Sequence, residues 1–307
     1  MITFSTFHVD PKKDSDATLK SNIKNEGDYS LLIDLMFRSA SLFHPDCQRV
    51  VLTDYQTDLS YLDKSIKAHR IHVDPNSVPL MYSRLVAQVD YIRSNNFASD
   101  MVFLDSDILI NSNLESLFKQ DFDIALTIRD LEIMPVNWGV MLVSKNGGQN
   151  VIDFFEKILT IFKEKYFTGD VFWRDQYALM DAIGRDNFFN RSSDVICVDG
   201  VKILLIPCDT YNFSPDNNLS KSTYSSIAFE LRKKQIIHFK GERKKLMYPY
   251  WKCYLSHREQ PGVDMLVNSI QTRFSVFSHM PMELFSKVVS GTTKTLGKVK
   301  RKVVKGN

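Results

Sequence analysis

Disulfide chemistry is the first thing this chain lacks. Its four cysteines, Cys47, Cys197, Cys208 and Cys253, lie far apart, with no C-x-x-C spacing. That excludes a disulfide frame or a cysteine-rich zinc site and reads as reduced thiols in a cytosolic protein. Long apolar runs are missing too, since none approaches the ~20 residues of a membrane span. Charge of one sign is not in excess: 39 Lys and Arg against 36 Asp and Glu leave +3 over 307 residues. Bulk electrostatics therefore give no reason to expect nucleic acid as a partner. The N-terminal "MITFSTFHVD" starts a strand at once, so no signal peptide is expected. The sequons at Asn190, Asn212 and Asn218 are accordingly expected to stay unmodified.

What is present is a chain 44% hydrophobic, ample for a large core. Strand-like runs stand at 2–7, 49–54, 69–73, 101–110, 123–128 and 139–144. Helical patterns stand at 29–43, 149–166 and 170–184, and at 78–94, where Val78, Met81, Leu85, Val89 and Ile92 form one apolar stripe. Strands alternating with helices predict an α/β fold, a mainly parallel sheet covered on both faces. Beyond about residue 195 the pattern loosens into short strands, up to "KQIIHFKG" at 234–241.

The run "MVFLDSDILI" (101–110) carries two carboxylates, Asp105 and Asp107, in the most apolar strand of the chain. An unpartnered buried carboxylate is costly. Alternate side chains of a strand share a face, so the two converge at the strand's end or just past it. In open α/β sheets ligands bind at the carboxyl ends of strands. Two carboxylates there suit a hard divalent cation completed by substrate phosphates. The competing reading is a turn with a capping Asp. Two enzyme classes place D-x-D after an apolar strand: phosphatases that form an aspartyl phosphate, and metal-dependent nucleotide-sugar transferases.

Downstream stand "VNWGVMLVSK" (136–145), "WRDQYALMDAIG" (173–184) and "IIHFKGERKK" (236–245). With D-S-D upstream, this order over residues 1–250 resembles the retaining glycosyltransferases of family eight, the family of glycogenin and bacterial lipooligosaccharide galactosyltransferases. The resemblance implies a GT-A, Rossmann-like mixed sheet over residues 1–262, with 263–307 as a C-terminal extension. It implies a UDP-sugar donor, a glycan or lipid-linked saccharide acceptor, and Mn²⁺ or Mg²⁺ as cofactor. The alternatives left open are a sugar nucleotidyltransferase and a sugar-nucleotide-binding homologue without turnover.

Carried over residue by residue, the resemblance makes Asp105, Asp107 and His238 metal ligands, and an imidazole ligand suits Mn²⁺. Gly241 would let the backbone approach the diphosphate, and Lys244 would neutralise it. The family's Pro-Trp is replaced by Lys245-Leu246, so Lys245 or Arg243 competes with Lys244 for that role. Arg84 and Asp130 would reach the donor sugar, and Asn137 would bond its hydroxyls. Asp175 and Gln176 would stand at the reacting carbon, and Thr6, Phe7 and His8 at the base and ribose. Trp138 either stacks on a sugar or packs. Arg84, Gln88 and Tyr91 share a helix face that is either functional or solvated.

The segment "MELFSKVVSGTTKTLGKVKRKVVKGN" (282–307) sets an apolar stripe beside a wholly basic face. That pattern suits a helix lying on an anionic membrane surface, or a disordered basic tail. A cytoplasmic enzyme touching the inner membrane face is the expectation.

Overall fold

The computed structural model describes residues 1–10, 27–74, 77–168, 173–189, 194–215 and 230–256. The chain divides into two compact units, Met1–Tyr248 and Pro249–Asn307. The second is described only as far as Ser256, over a helical turn Trp251–Leu255. The basic segment 282–307 and the expected boundary near 262 lie outside the described residues.

Among the described residues, the first unit is built on ten strands. They are β1 (Ile2–Phe7), β2 (Gln48–Asp54), β3 (Lys67–Ile71), β4 (Asp100–Leu104), β5 (Ile108–Ile110), β6 (Ile124–Ile128), β7 (Val136–Val143), β8 (Val195–Val198), β9 (Val201–Pro207) and β10 (Ile236–His238). Eight form one sheet in the order β3-β2-β1-β4-β7-β6-β9-β8, and β5 and β10 form a separate antiparallel pair. Within the large sheet β3, β2, β1 and β4 run parallel, as do β6 and β9. β7 is antiparallel to both neighbours and β8 to β9. The mixed, mainly parallel sheet expected from the sequence is therefore what forms.

Among the described residues, four helices of ten residues or more cover it: α1 (Gly27–Phe43), α2 (Leu80–Asn95), α3 (Gln149–Ile161) and α4 (Arg174–Ile183). Pro79 fixes the chain just before α2, and Asn96 ends that helix in the left-handed region, returning its N–H to Ile92 and Arg93. Along β4, Met101 and Phe103 join the core made by Leu85, Phe154, Phe155 and Leu179 of α2, α3 and α4. The alternating Val102 and Leu104 must face the other way, the side that α1 covers through buried Ile33, Met36 and Phe37.

Two expectations change. "MVFLDSDILI" is two strands, not one: β4 belongs to the large sheet, β5 pairs with β10, and D-S-D is the turn between them. The helix beginning at Gln149 ends its regular part at Ile161, followed by a wider turn, Phe162–Tyr166. No described helix is long and apolar enough to cross a membrane.

Candidate active site

The turn after β4 places Asp105 and Asp107 where β5 leaves for the small sheet, and β10 brings His238 opposite Ile108. Phe239 N–H closes the arrangement by donating to the Asp107 carbonyl at 2.8 Å. One ligand atom from each of Asp105, Asp107 and His238 falls within a 4.8 Å cluster. His238 Nε2 lies 3.0 Å from Asp107 Oδ1 and 3.6 Å from Asp105 Oδ2. Asp107 and His238 are buried, and Asp105 is about a third exposed.

The imidazole's tautomer is set behind the site. Asn212 Nδ2 donates to Thr127 Oγ1 at 2.8 Å and lies 3.4 Å from the Asn137 carbonyl, which can only accept. Thr127 Oγ1 donates to the same carbonyl at 2.7 Å. The Asn212 oxygen must therefore face the ring, and His238 Nδ1–H donates to it at 2.8 Å. The lone pair of Nε2 then points at two carboxylates. Acceptors 3.0 Å apart repel unless a cation lies with them. A proton or a metal ion satisfies this. Two cis ligands of an octahedral ion, each ~2.1 Å from it, stand about 3 Å apart. The donor set thus fits a hard divalent cation with a supported histidine.

A bulge makes room for it. β6 and β7 pair in register up to Leu126 and Met141, then resume at Thr127 and Asn137, so Trp138, Gly139 and Val140 have no partner on β6. Asn137 Oδ1 accepts from Gly139 N–H at 3.0 Å, and the Gly139 carbonyl accepts from Asp105 N–H at 2.9 Å. A Cβ at Gly139 would sit 2.5 Å from His238 Cε1 and 2.9 Å from Asp105 Oδ2. Only glycine fits. Trp138 is buried and packs near Phe155, so its role is packing.

Arg84 reaches the cluster from α2. Its guanidinium donates to Asp105 Oδ1 at 2.8 Å and, closely, to Asp175 Oδ2 at the start of α4. Burial works against the Arg84 charge, but Asp175 and Asp105 outweigh it and hold the group protonated beyond its ordinary range. Gln88 and Tyr91 are buried, so this second face of α2 is not solvated. Asp107 behaves similarly: burial raises its pKa, and His238 and then Lys244 outweigh that and hold it below the usual carboxylate range. Lys244, on the turn Gly241–Leu246, stands 3.5 Å from Asp107 Oδ2 and lies over the Tyr29 ring. Gly241 starts that turn at φ +56°, which suits glycine.

Asp175 and Gln176 are buried, and Asp175 Oδ1 and Gln176 Oε1 find no hydrogen-bond partner among the described residues. Trp173, just before them, holds φ +68°, a costly setting for a bulky side chain. Asp130 stands exposed beyond β6, outside the hydrogen-bonded cluster. Of the three residues at the end of β1 and just past it, Thr6 is buried in the sheet and Phe7 packs against the core. His8 is buried, its Nε2 3.0 Å from the Tyr61 hydroxyl. Sequence reasoning assigned no role to Gly139, Asn212, Thr127 or Tyr29. The N-x-G spacing was the one signal available, for Gly139.

No protein-family model and no curated protein sequence matches the chain. Its structure is similar to that of the galactosyltransferase LgtC in complex with donor and acceptor sugar analogues. Identity there is 14% and TM-score 0.46, over 93% of this chain and 99% of that one. It is similar to the glycosyltransferase GlyE of Streptococcus pneumoniae, at 14% identity and TM-score 0.49, over 87% of this chain and 61% of that one. It is also similar to a glycosyltransferase involved in glycosylation of the major capsid of PBCV-1, at 11% identity and TM-score 0.44, over 80% of this chain and 98% of that one.

Proposed function

We propose that this chain is a metal-dependent glycosyltransferase that moves a hexose from a UDP-sugar to a hydroxyl of a glycan or lipid-linked saccharide, with retention of configuration. One observation carries the reading: a tautomer-locked His238 turns its lone pair toward two carboxylates, with a lysine against the second of them. Asp105, Asp107 and His238 would hold Mn²⁺ or Mg²⁺, which when bound supplies Lewis-acid charge to a departing diphosphate.

The chain's own groups do the remaining work. Lys244 places fixed positive charge where negative charge develops, and the site needs no rearrangement to supply it. Arg84 holds Asp105 and Asp175 in one frame, so the metal side and the sugar side keep a constant separation. Asp175 Oδ1 and Gln176 Oε1, buried without partners among the described residues, can accept hydrogen bonds from donor-sugar hydroxyls. Gln176 is a poor nucleophile, so the two-carboxylate double displacement of a retaining glycosidase is not recreated. Retention then follows from attack on the face that the diphosphate leaves.

Thermal shift tests this. UDP with Mn²⁺ should raise the melting temperature, UDP with a chelator should not, and Asp107→Asn should abolish the Mn²⁺-dependent shift while remaining folded. With an α-linked UDP-hexose the wild type should give an α-linked product by proton NMR. An Asp107→Asn variant turning over UDP-hexose at the wild-type rate would remove the metal assignment, and a β-linked product would remove retention.

A further inference from the structure

The first turn of α4 is set under strain. Its cap residue, Trp173, holds φ +68° and ψ +24°, and no side chain caps the helix. Glycine or asparagine takes that setting cheaply, and a tryptophan does not. Two ties hold the residues just after it. Arg174 Nη1 donates to the Phe167 carbonyl at 3.1 Å, and Asp175 is bound to Arg84. Trp173 itself lies under the Arg129 guanidinium, with Cζ 5.6 Å from the ring centre, inside the range of a cation–π contact.

Arg129 reaches that ring from the site's own edge of the sheet. β4 and β6 run the same way, since both are antiparallel to β7. Arg129, the residue after β6, therefore leaves the sheet at the same edge as Asp105, the residue after β4. Its backbone N–H donates to the Pro135 carbonyl at 2.7 Å, and its Nε to the Met134 carbonyl at 2.9 Å. These bonds fix one edge of the guanidinium against the connection between β6 and β7. Among the described residues no carboxylate pairs with Arg129 within 4.0 Å, and its buried Nη2 has no hydrogen-bond partner.

Neither feature serves stability. A half-buried cation without an acid costs folding energy, and so does a bulky residue at positive φ. The two costs meet in one contact, two residues before Asp175. Costs of this kind persist where the surrounding structure holds them, and they gather where geometry is used. What this contact holds is the start of α4. With Trp173 seated, Asp175 and Gln176 are buried, and their Oδ1 and Oε1 are left without partners among the described residues. A Trp173 released to an ordinary φ would rotate the first turn of α4 and carry both oxygens with it.

We infer that Arg129 is a positioning residue for the transfer. Through the ring of Trp173 it fixes the first turn of α4, so that Asp175 and Gln176 meet the donor sugar in one orientation. The inference rests on the transferase reading and deepens it. It concerns the sugar side alone, since His238 and Lys244 are held by separate contacts with Asn212 and Asp107.

Release of UDP from UDP-glucose, UDP-galactose and UDP-N-acetylglucosamine is followed with Mn²⁺ on the wild type, R129Q, R129K, W173L and R129Q/W173L. W173L keeps an apolar side chain against the core and removes the π face. R129Q should lower kcat roughly 10- to 100-fold, the scale of a small misplacement at a reacting centre. Its Kd for UDP with Mn²⁺ should stay within about 2-fold of wild type, because that binding does not use the sugar side. R129K keeps a cation over the ring and should recover most of the loss. W173L should lose as much as R129Q, and the double variant no more than either single, since both act through one contact. R129Q at the wild-type kcat, or losses that multiply in the double variant, overturns the inference. So does an R129Q variant that fails to fold, or that weakens UDP binding in proportion to kcat, because Arg129 then supports the fold as a whole. Should W173L not fold, the R129Q and R129K arms decide alone. A wild type that binds no UDP with Mn²⁺, or releases none from these donors, sinks the transferase reading itself and the inference with it, before any variant is made.

Discussion

The two sides of Asp105 are built differently. Toward His238 a chain of side chains is bonded end to end: ring to Asn212, Asn212 to Thr127, Thr127 to the Asn137 carbonyl. Toward α4 the bonds run out. Asp175 Oδ1, Gln176 Oε1 and Arg129 Nη2 are buried with no partner among the described residues. Buried polar atoms in folded proteins are overwhelmingly satisfied, so a cluster of exceptions asks for an explanation. The finished side holds geometry. On the proposed function, the unfinished side is completed by substrate. Arg84 joins them, one guanidinium bonded across both.

Breaking that join should have the largest effect. Arg84→Met leaves Asp175, almost wholly buried, as an uncompensated charge. The expected loss is about 3–5 kcal/mol of unfolding free energy, read from the urea midpoint at unchanged slope. Arg84→Met with Asp175→Asn should recover most of it, because no charge is then left stranded. A single variant within about 1 kcal/mol of wild type would mean that Asp175 finds another partner and the two sides are not tied.

The next effect tests the finished side alone. Asn212→Ala removes the acceptor of His238 Nδ1–H and frees the tautomer, while leaving the three proposed metal ligands in place. Supporting groups of this kind are worth about 10- to 100-fold in metal affinity. The Mn²⁺ concentration needed to half-saturate UDP binding should rise by that factor. An unchanged value would show that the lone pair of Nε2 is directed by something other than Asn212.

The finished side was partly legible in the sequence, and the unfinished side hardly at all. Asp105 and Asp107 stand out because carboxylates are foreign to an apolar strand, and "HFKG" marks His238 by its neighbours. Asn212 and Thr127 carry no such mark. They matter only because β6, β7 and the turn after β9 converge there, and Asn212 read as a sequon of no consequence. Arg129 is ordinary in sequence, and what sets it apart is a buried Nη2 without a hydrogen-bond partner among the described residues, which only the packed chain reveals. For the fold, strand and helix positions followed from apolar periodicity, but strand direction did not. The residues between Ile128 and Val136 are too few for the helical crossover that parallel strands need, and that signal alone could have given β7 its antiparallel course. Likewise the apolar run through "MVFLDSDILI" hid a change of sheet, since buried strands of either sheet read alike.

The smallest effect sharpens the comparison by sign. A lysine on the finished side should stabilise the unliganded protein, and one on the unfinished side should cost it stability. Lys244 offsets its burial against Asp107. Lys240 is held below its ordinary pKa chiefly by burial, to which the Arg129 charge adds, against the opposing pull of Cys208, Asp105 and Asp107. Lys240→Met keeps the aliphatic stem, which packs as before, and removes only the desolvated charge. Without ligand it should raise stability by about 1 kcal/mol, a gain typical of relieving strain at a functional site. In a chain of this size that is a rise of roughly 2 °C in melting temperature. Lys244→Met should move the melting temperature the other way by a similar amount, because Asp107 then loses its lysine partner. The sign is the test. If both substitutions lower the melting temperature, Lys240 is satisfied within the fold, and the side of the site facing α4 is as finished as the side facing His238.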